Sequence, residues 1–260
     1  MLNPHYHPIS ANSLFHFTNK LENLNGILAG GFKPRYCLEN FNLLMKPGYK
    51  PEDRFEWAIP MTCFCDLPLS QTTYHSSIYG NYAIGMSKEW GMKKGITPVL
   101  YAYQGSSMIA QIGDFFRHAG EMKSDTKGKE RMTLNIHKLL SFVKPYEGDL
   151  WRSSGIKENV RFYDEREWRF VANIPSQTMR LFLEKEDFFN EEFKSQCNAS
   201  VGDQFRLRFQ ANDIKYLIVP KEKQIVPFIR KLRAKSPLSK DDLNLICSRV
   251  ISAEQIRTDF

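Results

Sequence analysis

The chain has 260 residues, of which 42% are hydrophobic, 25% charged and 13% aromatic. This composition is typical of a compact soluble protein and excludes the collagenous, low-complexity and disordered classes. No apolar stretch approaches the ~20 residues that span a bilayer, and the first residues lack the basic and apolar pattern of a signal peptide. We therefore expect one domain, over residues 1–260, that stays in the cytoplasm without a membrane partner.

The formal net charge of +7 is concentrated near the C-terminus. Residues 204–260 contain twelve Lys or Arg and six Asp or Glu, which leaves an excess of +6 in this fifth of the chain. The densest part, 221–235, opens a basic helical segment over 221–260 that can attract a nucleic acid through its phosphates. A solvated helix face without a partner is the alternative.

The five cysteines are odd in number and scattered, which is typical of free thiols in a reducing compartment. Cys63 and Cys65 are the only close pair. Structural zinc sites usually have two residues between paired cysteines and a second pair of ligands, and neither is present. The pattern therefore predicts thiols in a buried strand and no metal site.

The first predicted elements are a strand and a helix. Residues 14–17 (Leu-Phe-His-Phe) read as a short strand. The helix that follows is predicted to have Asn19 as its N-cap, with Glu22 at the capping-box position. Gly30 and Gly31 are the expected C-terminal stop.

The remaining elements alternate irregularly between strands and helices. Residues 33–56 are rich in turn residues and predict a loop, and the apolar strand over 57–65 contains Pro60, which indicates an edge or bulged strand. Further strands are predicted over 82–86, 97–103, 160–173, 179–183, 204–209 and 214–219. Helices are predicted over 106–119, 129–143 and 221–235, with a last helix that Ser239 opens. This mixed order predicts the α+β class.

A pair of carboxylates is the strongest polar signal in the chain. A strand across 160–173 places Glu165, Glu167 and Arg169 on one face, with the two carboxylates about 6–7 Å apart. The two carboxylates of such a pair can have different catalytic roles. One stabilises developing positive charge, and the other orients or deprotonates a nucleophile. The alternative is a solvent-facing surface with salt bridges to Arg161 or Arg169, each worth at most about 1 kcal/mol.

A histidine and two tyrosines could contact a ligand. His16 stands on the first strand just before a helix N-terminus, where ligand phosphates meet the positive end of the helix dipole. A packed histidine is the alternative. Tyr79 and Tyr82 offer flat faces for a planar ring, beside Gly80 and Gly85, although turn formation explains these glycines equally well.

Six segments form a recognisable set: SLFHFT at 13–18, LENL at 21–24, GFKPRY at 31–36, IPMTCFCDLPLS at 59–70, YGNYAIGMSKEW at 79–90 and EREWR at 165–169. Together they resemble the AbiGi abortive-infection family of bacterial anti-phage proteins, over about residues 13–220. Members of this family are labelled antitoxins on the basis of genetic context. The resemblance implies a role in phage defence and a toxin or antitoxin protein as partner.

A second resemblance concerns the order of a strand histidine, a short helix, a tyrosine and a late glutamate. This order is similar to the His-Tyr-Glu arrangement of NAD-dependent ADP-ribosyltransferases, which include the DarT-like toxins that modify nucleic acid. It implies an ADP-ribosyltransferase-like split mixed or antiparallel β core with flanking helices, and NAD as substrate. His16 would hydrogen-bond the adenosine-side ribose of NAD, and Phe17 and Thr18 would also belong to the cofactor-binding site. Tyr79 would stack on the nicotinamide, with Tyr82 as the alternative.

The same resemblance assigns the catalytic roles. Glu167 would bond the nicotinamide ribose and stabilise the oxocarbenium ion, and Glu165 would be the first carboxylate of an E-x-E pair. The chain departs from the pattern because it has no Ser-Thr-Ser on the central strand. Cys63-Phe-Cys65 or Ser70 would have to serve there.

Three hypotheses for the function follow from these resemblances. The chain is a phage-defence toxin that transfers ADP-ribose from NAD to RNA, DNA or protein, with the basic segment holding a nucleic-acid acceptor. Alternatively, it is a non-catalytic antitoxin or sensor that binds a partner toxin or a phage component. The third option is an NAD glycohydrolase without an acceptor. Both enzyme hypotheses require Glu165 and Glu167 to face a cleft that they share with His16.

Overall fold

The structure is a computed structural model that describes residues 10–44, 55–121, 127–152, 155–173, 182–235 and 238–259. Its strands are β1 (Ser13–Thr18), β2 (Arg35–Asn40), β3 (Glu56–Cys65), β4 (Tyr82–Ser87), β5 (Thr97–Pro98), β6 (Leu100–Ala102), β7 (Val143–Pro145), β8 (Gly148–Arg152), β9 (Gly155–Val160), β10 (Glu167–Val171), β11 (Leu183–Glu184), β12 (Ile214–Val219) and β13 (Val250–Ser252). Its helices are α1 (Leu21–Gly30), α2 (Thr72–Tyr79), α3 (Lys88–Lys93), α4 (Ser107–Glu121), α5 (Lys127–Leu140), α6 (Lys185–Phe189), α7 (Glu191–Ser200), α8 (Ile225–Lys235), α9 (Lys240–Cys247) and α10 (Ala253–Asp259).

A mixed sheet of nine strands organises the described part of the chain. Its order is β13-β12-β4-β1-β3-β10-β5, and β2 and β11 also pair with β3. The β12–β13 pair is parallel, whereas the other pairs in this sheet are antiparallel. Two further sheets, β6–β7 and β8–β9, have two strands each and do not share strand pairing with it. The sheet and its flanking helices confirm the α+β prediction at this level.

Strand β3 pairs with two different strands along one of its edges. Cys65 pairs with both β1 and β10, and Met61 pairs with both β2 and β10. Because a strand has two edges, β1 and β2 share one edge of β3 and β10 lies on the other. Among the described strands none pairs with residues 62–64 on the shared edge. A gap therefore opens between β1 and β2.

One face of β3 is concave. Cys63 lies opposite Arg169, whereas Glu39 lies opposite Trp57. These two positions of β3 are six residues apart, or about 20 Å along a straight strand, which is farther than an Arg and a Glu side chain together reach. Yet Arg169 Nη2 is 3.2 Å from Glu39 Oε2. The strand must therefore bend toward this face, and Pro60 lies within the bent stretch.

Helices pack against both faces of the sheet through apolar side chains. On one face α1, α3, α8 and α9 pack against β1, β4 and β12, with Phe64 of β3 in the same cluster. On the other face α4 and α5 pack against β3 around Met61 and Ile136. Each large buried side chain contributes roughly 1.5–3 kcal/mol of hydrophobic stabilisation. No helix among the described residues is both long enough and apolar enough to cross a membrane.

Several predicted elements are confirmed. The strands over 82–86 and 214–219 and the helix over 106–119 correspond to β4, β12 and α4. The basic helix is α8, which a 3-10 turn over Glu222–Gln224 precedes. The Ser239 hydroxyl accepts the backbone N–H of Asp242, which confirms it as the N-cap of α9. The expected strand over 179–183 lies mostly outside the described residues.

Three predictions near the N-terminus are wrong. Helix α1 has its N-cap at Lys20, without a side-chain cap, so Asn19 is not the N-cap. The expected loop over 33–56 contains β2, because six consecutive residues find backbone partners on β3. Strand β3 is central and not an edge, although it contains Pro60. The Pro60 carbonyl accepts the Ala172 N–H, so the proline still contributes an acceptor to its neighbour.

Four later elements also differ from the predictions. The expected strand over 160–173 is interrupted by a 3-10 turn over Phe162–Glu165. The region 97–103 divides into β5 and β6, which belong to different sheets. The second long helix ends at Leu140, before the predicted 143. The region 204–209 is a 3-10 turn followed by a single bridge between Leu207 and Phe32.

Replacing Gly80 tests the close approach of α2 to the end of β1. Gly80 has a φ of +114°, and an added Cβ would collide with backbone atoms of Thr18 and Asn19. Gly80→Ala should lower the free energy of unfolding by about 2–4 kcal/mol, measured by urea denaturation. Gly95→Ala is the matched control, because its φ of +73° is similarly unusual but the added Cβ has open space. A loss of about 1 kcal/mol is expected there, and equal losses in both variants would contradict the collision.

Candidate functional site

A cavity of about 690 Å³ lies at the gap between β1 and β2. This volume is within the range of small-molecule sites. Six of the residues that the sequence predicted for a site line its wall: His16, Phe17, Thr18, Tyr79, Glu165 and Glu167. The two carboxylates therefore share one cavity with His16, as the enzyme hypotheses require. Tyr82 is not among the lining residues and pairs with Thr18 across β1 and β4.

A buried lysine stands at the centre of the carboxylate pair. Lys144 lies on the short strand β7, and its Nζ is 2.7 Å from Glu165 Oε2 and 2.6 Å from Glu167 Oε2. The ammonium group also lies 4.7 Å from the centre of the Phe162 ring, a distance typical of a cation–π contact. One ammonium group therefore bridges both carboxylates.

The turn before β10 explains how two neighbouring carboxylates reach the same ammonium group. Glu165 ends the 3-10 turn, Arg166 adopts a left-handed conformation with φ 44°, and Glu167 begins the strand. A continuous strand would hold the two side chains about 6–7 Å apart along its axis. The break allows both to converge on Lys144, whose side chain is 9% exposed.

Each carboxylate is also held by a second group of the chain. The Tyr79 hydroxyl donates to Glu165 Oε1 at 2.5 Å. Arg169 Nε donates to Glu167 Oε1 at 2.8 Å, and Arg169 Nη1 donates to the Ser141 carbonyl at 2.7 Å. Arg169 is fully buried. Each oxygen of the two carboxylates thus has a partner within the protein.

Two cations face three carboxylates in this cluster, because Glu39 also pairs with Arg169. Burial would raise the pKa of Glu167, but Arg169 and Lys144 outweigh it and hold that pKa well below its usual range. Burial likewise opposes the charge of Lys144, yet Glu167 and Glu165 raise its pKa well above the ordinary value. The pKa of Glu39 is raised, mainly by burial, with Arg169 and Lys144 opposing. Glu167 and Lys144 are therefore both charged at neutral pH.

His16 lies in the wall of the cavity with one ring nitrogen engaged. Its Nδ1 is 2.8 Å from the Cys63 carbonyl oxygen, and its ring contacts Phe32 and Phe64. Burial lowers the pKa of His16, and the hydrogen bond to Cys63 only partly opposes this. Since a carbonyl only accepts, Nδ1 carries the proton, and Nε2 of the neutral ring is an acceptor.

Aromatic rings continue the wall from β1 to α2. Tyr79 stacks on His75 at 4.4 Å between ring centres, and His75 in turn contacts Phe17 at 5.1 Å. All three side chains line the cavity. The Tyr79 ring is thus packed against a neighbouring ring, and its hydroxyl is committed to Glu165.

The cysteines and the described acidic groups offer no metal site. All five cysteines are free thiols, with Cys65 buried and Cys63 partly buried on β3. Within the described ranges, no group of three or more His, Cys, Asp or Glu is placed to hold a metal ion. Cys63 lines the cavity, whereas Ser70, the other expected substitute for the Ser-Thr-Ser motif, does not.

Sequence reasoning missed Lys144 and Glu39 as parts of the site. Neither belongs to a recognisable motif, and each is distant in sequence from Glu167. A weak signal was available for Lys144, since it follows Val143 in a short apolar stretch where a lysine needs a partner if buried.

The comparisons with known proteins bear on the identity of this chain. A family model described as "Putative abortive phage resistance protein AbiGi, antitoxin" matches residues 31–220. The chain belongs to the AbiGi family. An abortive phage resistance protein AbiGi of Lactococcus lactis subsp. cremoris is 27% identical over 251 residues, covering 88% of this chain and 99% of that protein. No solved structure matches the chain.

These findings confirm the AbiGi resemblance and place the protein in a family named for phage resistance. They lend no support to the resemblance with ADP-ribosyltransferases. The matched region contains Glu39, Tyr79, Lys144, Glu165 and Glu167, whereas His16 precedes it. The ionic cluster therefore lies wholly within the part of the chain that defines the AbiGi family.

The lowered pKa of His16 predicts a pH-dependent contribution to stability. The unfolded chain binds a proton near pH 6.5 and the folded chain only at lower pH, so stability is fully present above about pH 6.5 and is lost as the pH falls. Between about pH 7.5 and about pH 5, the wild type should lose more free energy of unfolding than His16→Gln. Urea denaturation at each pH measures this. His118→Gln, at an exposed position of α4, is the control for replacing a histidine elsewhere in the fold. A slope in His16→Gln equal to that of the wild type would refute the assignment.

Proposed function

We propose that this AbiGi protein serves phage defence as a non-catalytic antitoxin that binds and neutralises a partner toxin. The description of the matching family as an antitoxin supports this proposal. The structural observation that carries it is the neutralisation of Glu165 and Glu167 by Lys144 and Arg169. The carboxylate pair is occupied by the chain's own cations.

The electrostatics of this pair disfavour the cleavage of NAD. Breaking the bond between nicotinamide and ribose develops positive charge on the sugar, and a catalyst stabilises it with an uncompensated carboxylate. Here an ammonium group is within 2.7 Å of both candidate carboxylates. It would repel a cationic transition state at the same position. The cluster therefore serves as a structural core for the cavity in this proposal.

Growth measurements test the antitoxin role. Expression of the wild-type chain alone in a bacterial host should leave the growth rate unchanged. Genes that flank its own in the source genome are then expressed one at a time, alone and together with the chain. We expect that one of them arrests growth and that the wild-type chain relieves the arrest.

The Glu167→Gln variant is the control for a catalytic toxin. Under the antitoxin proposal, neither the wild type nor this variant arrests growth. Growth arrest by the wild type alone, abolished in Glu167→Gln, would overturn the proposal. Failure to relieve the arrest caused by each toxic flanking gene would equally contradict it.

ADP-ribosyl transfer is the second candidate, and the cavity is the observation that favours it. His16, Tyr79, Glu165 and Glu167 line one cavity, which is the set that the resemblance to NAD-dependent enzymes requires. Exposed Arg230, a member of the basic helix α8, is one of several cations that could hold a nucleic-acid acceptor. NAD would be a substrate in this candidate.

An assay with labelled NAD tests the ADP-ribosyltransferase hypothesis. The purified chain is incubated with NAD labelled in its ADP-ribose part, together with total RNA, DNA or protein. Transfer predicts label in macromolecules, and Glu167→Gln should lower the rate by on the order of 10²–10³. Glu158→Gln, an exposed carboxylate on β9, is the matched control and should have no effect. Free labelled ADP-ribose alone would indicate a glycohydrolase, and intact NAD would refute both enzyme hypotheses.

A further inference from the structure

We propose that Glu165, Glu167 and the Phe162 ring form a receptor for a primary ammonium group, and that Lys144 is its built-in occupant. The receptor forms one end of the cavity. Its chemistry is that of a cation site, with two carboxylate oxygens and an aromatic face around a single nitrogen. The inference concerns ligand selection by the cavity and does not depend on a partner toxin.

The two carboxylates are positioned by groups other than Lys144. Tyr79 donates to the remaining oxygen of Glu165, and Arg169 donates to the remaining oxygen of Glu167. Arg169 is itself anchored by the Ser141 carbonyl. Neither contact involves Lys144, so both are available to hold the two carboxylates when the lysine side chain is shortened. Preorganisation of this kind reduces the ordering cost of binding a free ligand.

The geometry also defines the size of the group that fits. Truncation of Lys144 to alanine removes three carbon atoms and the nitrogen beyond Cβ. n-Propylammonium contains the same atoms and carries three N–H donors, as the lysine does. Because the receptor residues and Lys144 all line the cavity, a molecule of this size can reach the vacated position from the cavity.

The built-in occupant has a consequence for the ligand of the wild-type cavity. Both carboxylates already share the positive charge of Lys144. A second cation at this end would meet a like charge within a few ångströms, in a site that is almost fully buried. Lys144 is therefore a specificity-determining residue that excludes ligands whose buried end carries a positive charge.

Chemical rescue of Lys144→Ala tests the receptor. Loss of the ammonium group leaves two buried carboxylates with Arg169 as their only cation among the described ion pairs, so Tm should fall by on the order of 10 °C. Added n-propylammonium should raise the Tm of this variant in a saturable manner. Tetramethylammonium, which has the same charge but no N–H donor, should restore much less.

Lys157→Ala is the matched control. Lys157 is exposed, donates to the Tyr74 hydroxyl at 3.2 Å and lies 4.9 Å from the centre of that ring, so it also makes an aromatic contact. Its removal should change Tm little, and n-propylammonium should have no specific effect. An amine-dependent rise that is no larger in Lys144→Ala than in Lys157→Ala would overturn the proposal.

A second variant separates the receptor from general charge effects. Lys144→Met combined with Glu165→Gln removes one cation and one carboxylate, and it leaves the Arg169–Glu167 pair intact. This double variant should have a higher Tm than Lys144→Ala and should not respond to n-propylammonium. A response equal to that of Lys144→Ala would contradict the receptor.

Refolding provides the same comparison if Lys144→Ala does not fold alone. The variant is diluted from denaturant into n-propylammonium or tetramethylammonium at equal concentration. Higher recovery of folded protein with n-propylammonium supports the receptor. Equal recovery with the two cations overturns it.

Discussion

The bridge from one buried ammonium group to two carboxylates holds the candidate site together. Burying an unpaired charge costs several kcal/mol, so Lys144, Glu165 and Glu167 tolerate their burial only as a connected group. Arg169 completes the compensation. The turn before β10, the short strand β7 and the end of α2 each bring one partner to this point. Their mutual position is therefore set by electrostatics as well as by apolar packing.

The cavity exists because β3 pairs with two different strands along the same edge. Strand β1 occupies one end of that edge and β2 the other, and the three residues between them pair with neither strand. The bend of β3 then turns its concave face inward, so that Glu39 and Arg169 meet across a long stretch of strand. His16 borders the same opening through its bond to the Cys63 carbonyl. A divided edge and a bent strand together create a site that neither would create alone.

The charge balance of the cluster bears on which of the two proposed functions the cavity can serve. The antitoxin proposal requires no chemistry at this site, and it agrees with buried carboxylates that are paired with Lys144 and Arg169. An enzyme that cleaves NAD would need one of them uncompensated. The same residues therefore distinguish the two proposals, and the decisive quantity is the charge next to Glu167.

The sequence by itself determined elements whose signals are local. Strands β1, β4 and β12 and helices α4 and α8 follow from apolar and charge patterns, and Ser239 marks the start of α9. The six-segment set indicated the AbiGi family. The sequence also identified Glu165 and Glu167 as the polar pair of interest, although it placed both on one continuous strand. Only the tertiary structure decided that β2 exists, that β3 is central and that Lys144 completes the site. These features depend on contacts between residues far apart in sequence. The apolar stretch around Lys144 gives only a weak local signal, because the burial of a lysine is favourable only when carboxylates from distant parts of the chain pair with it.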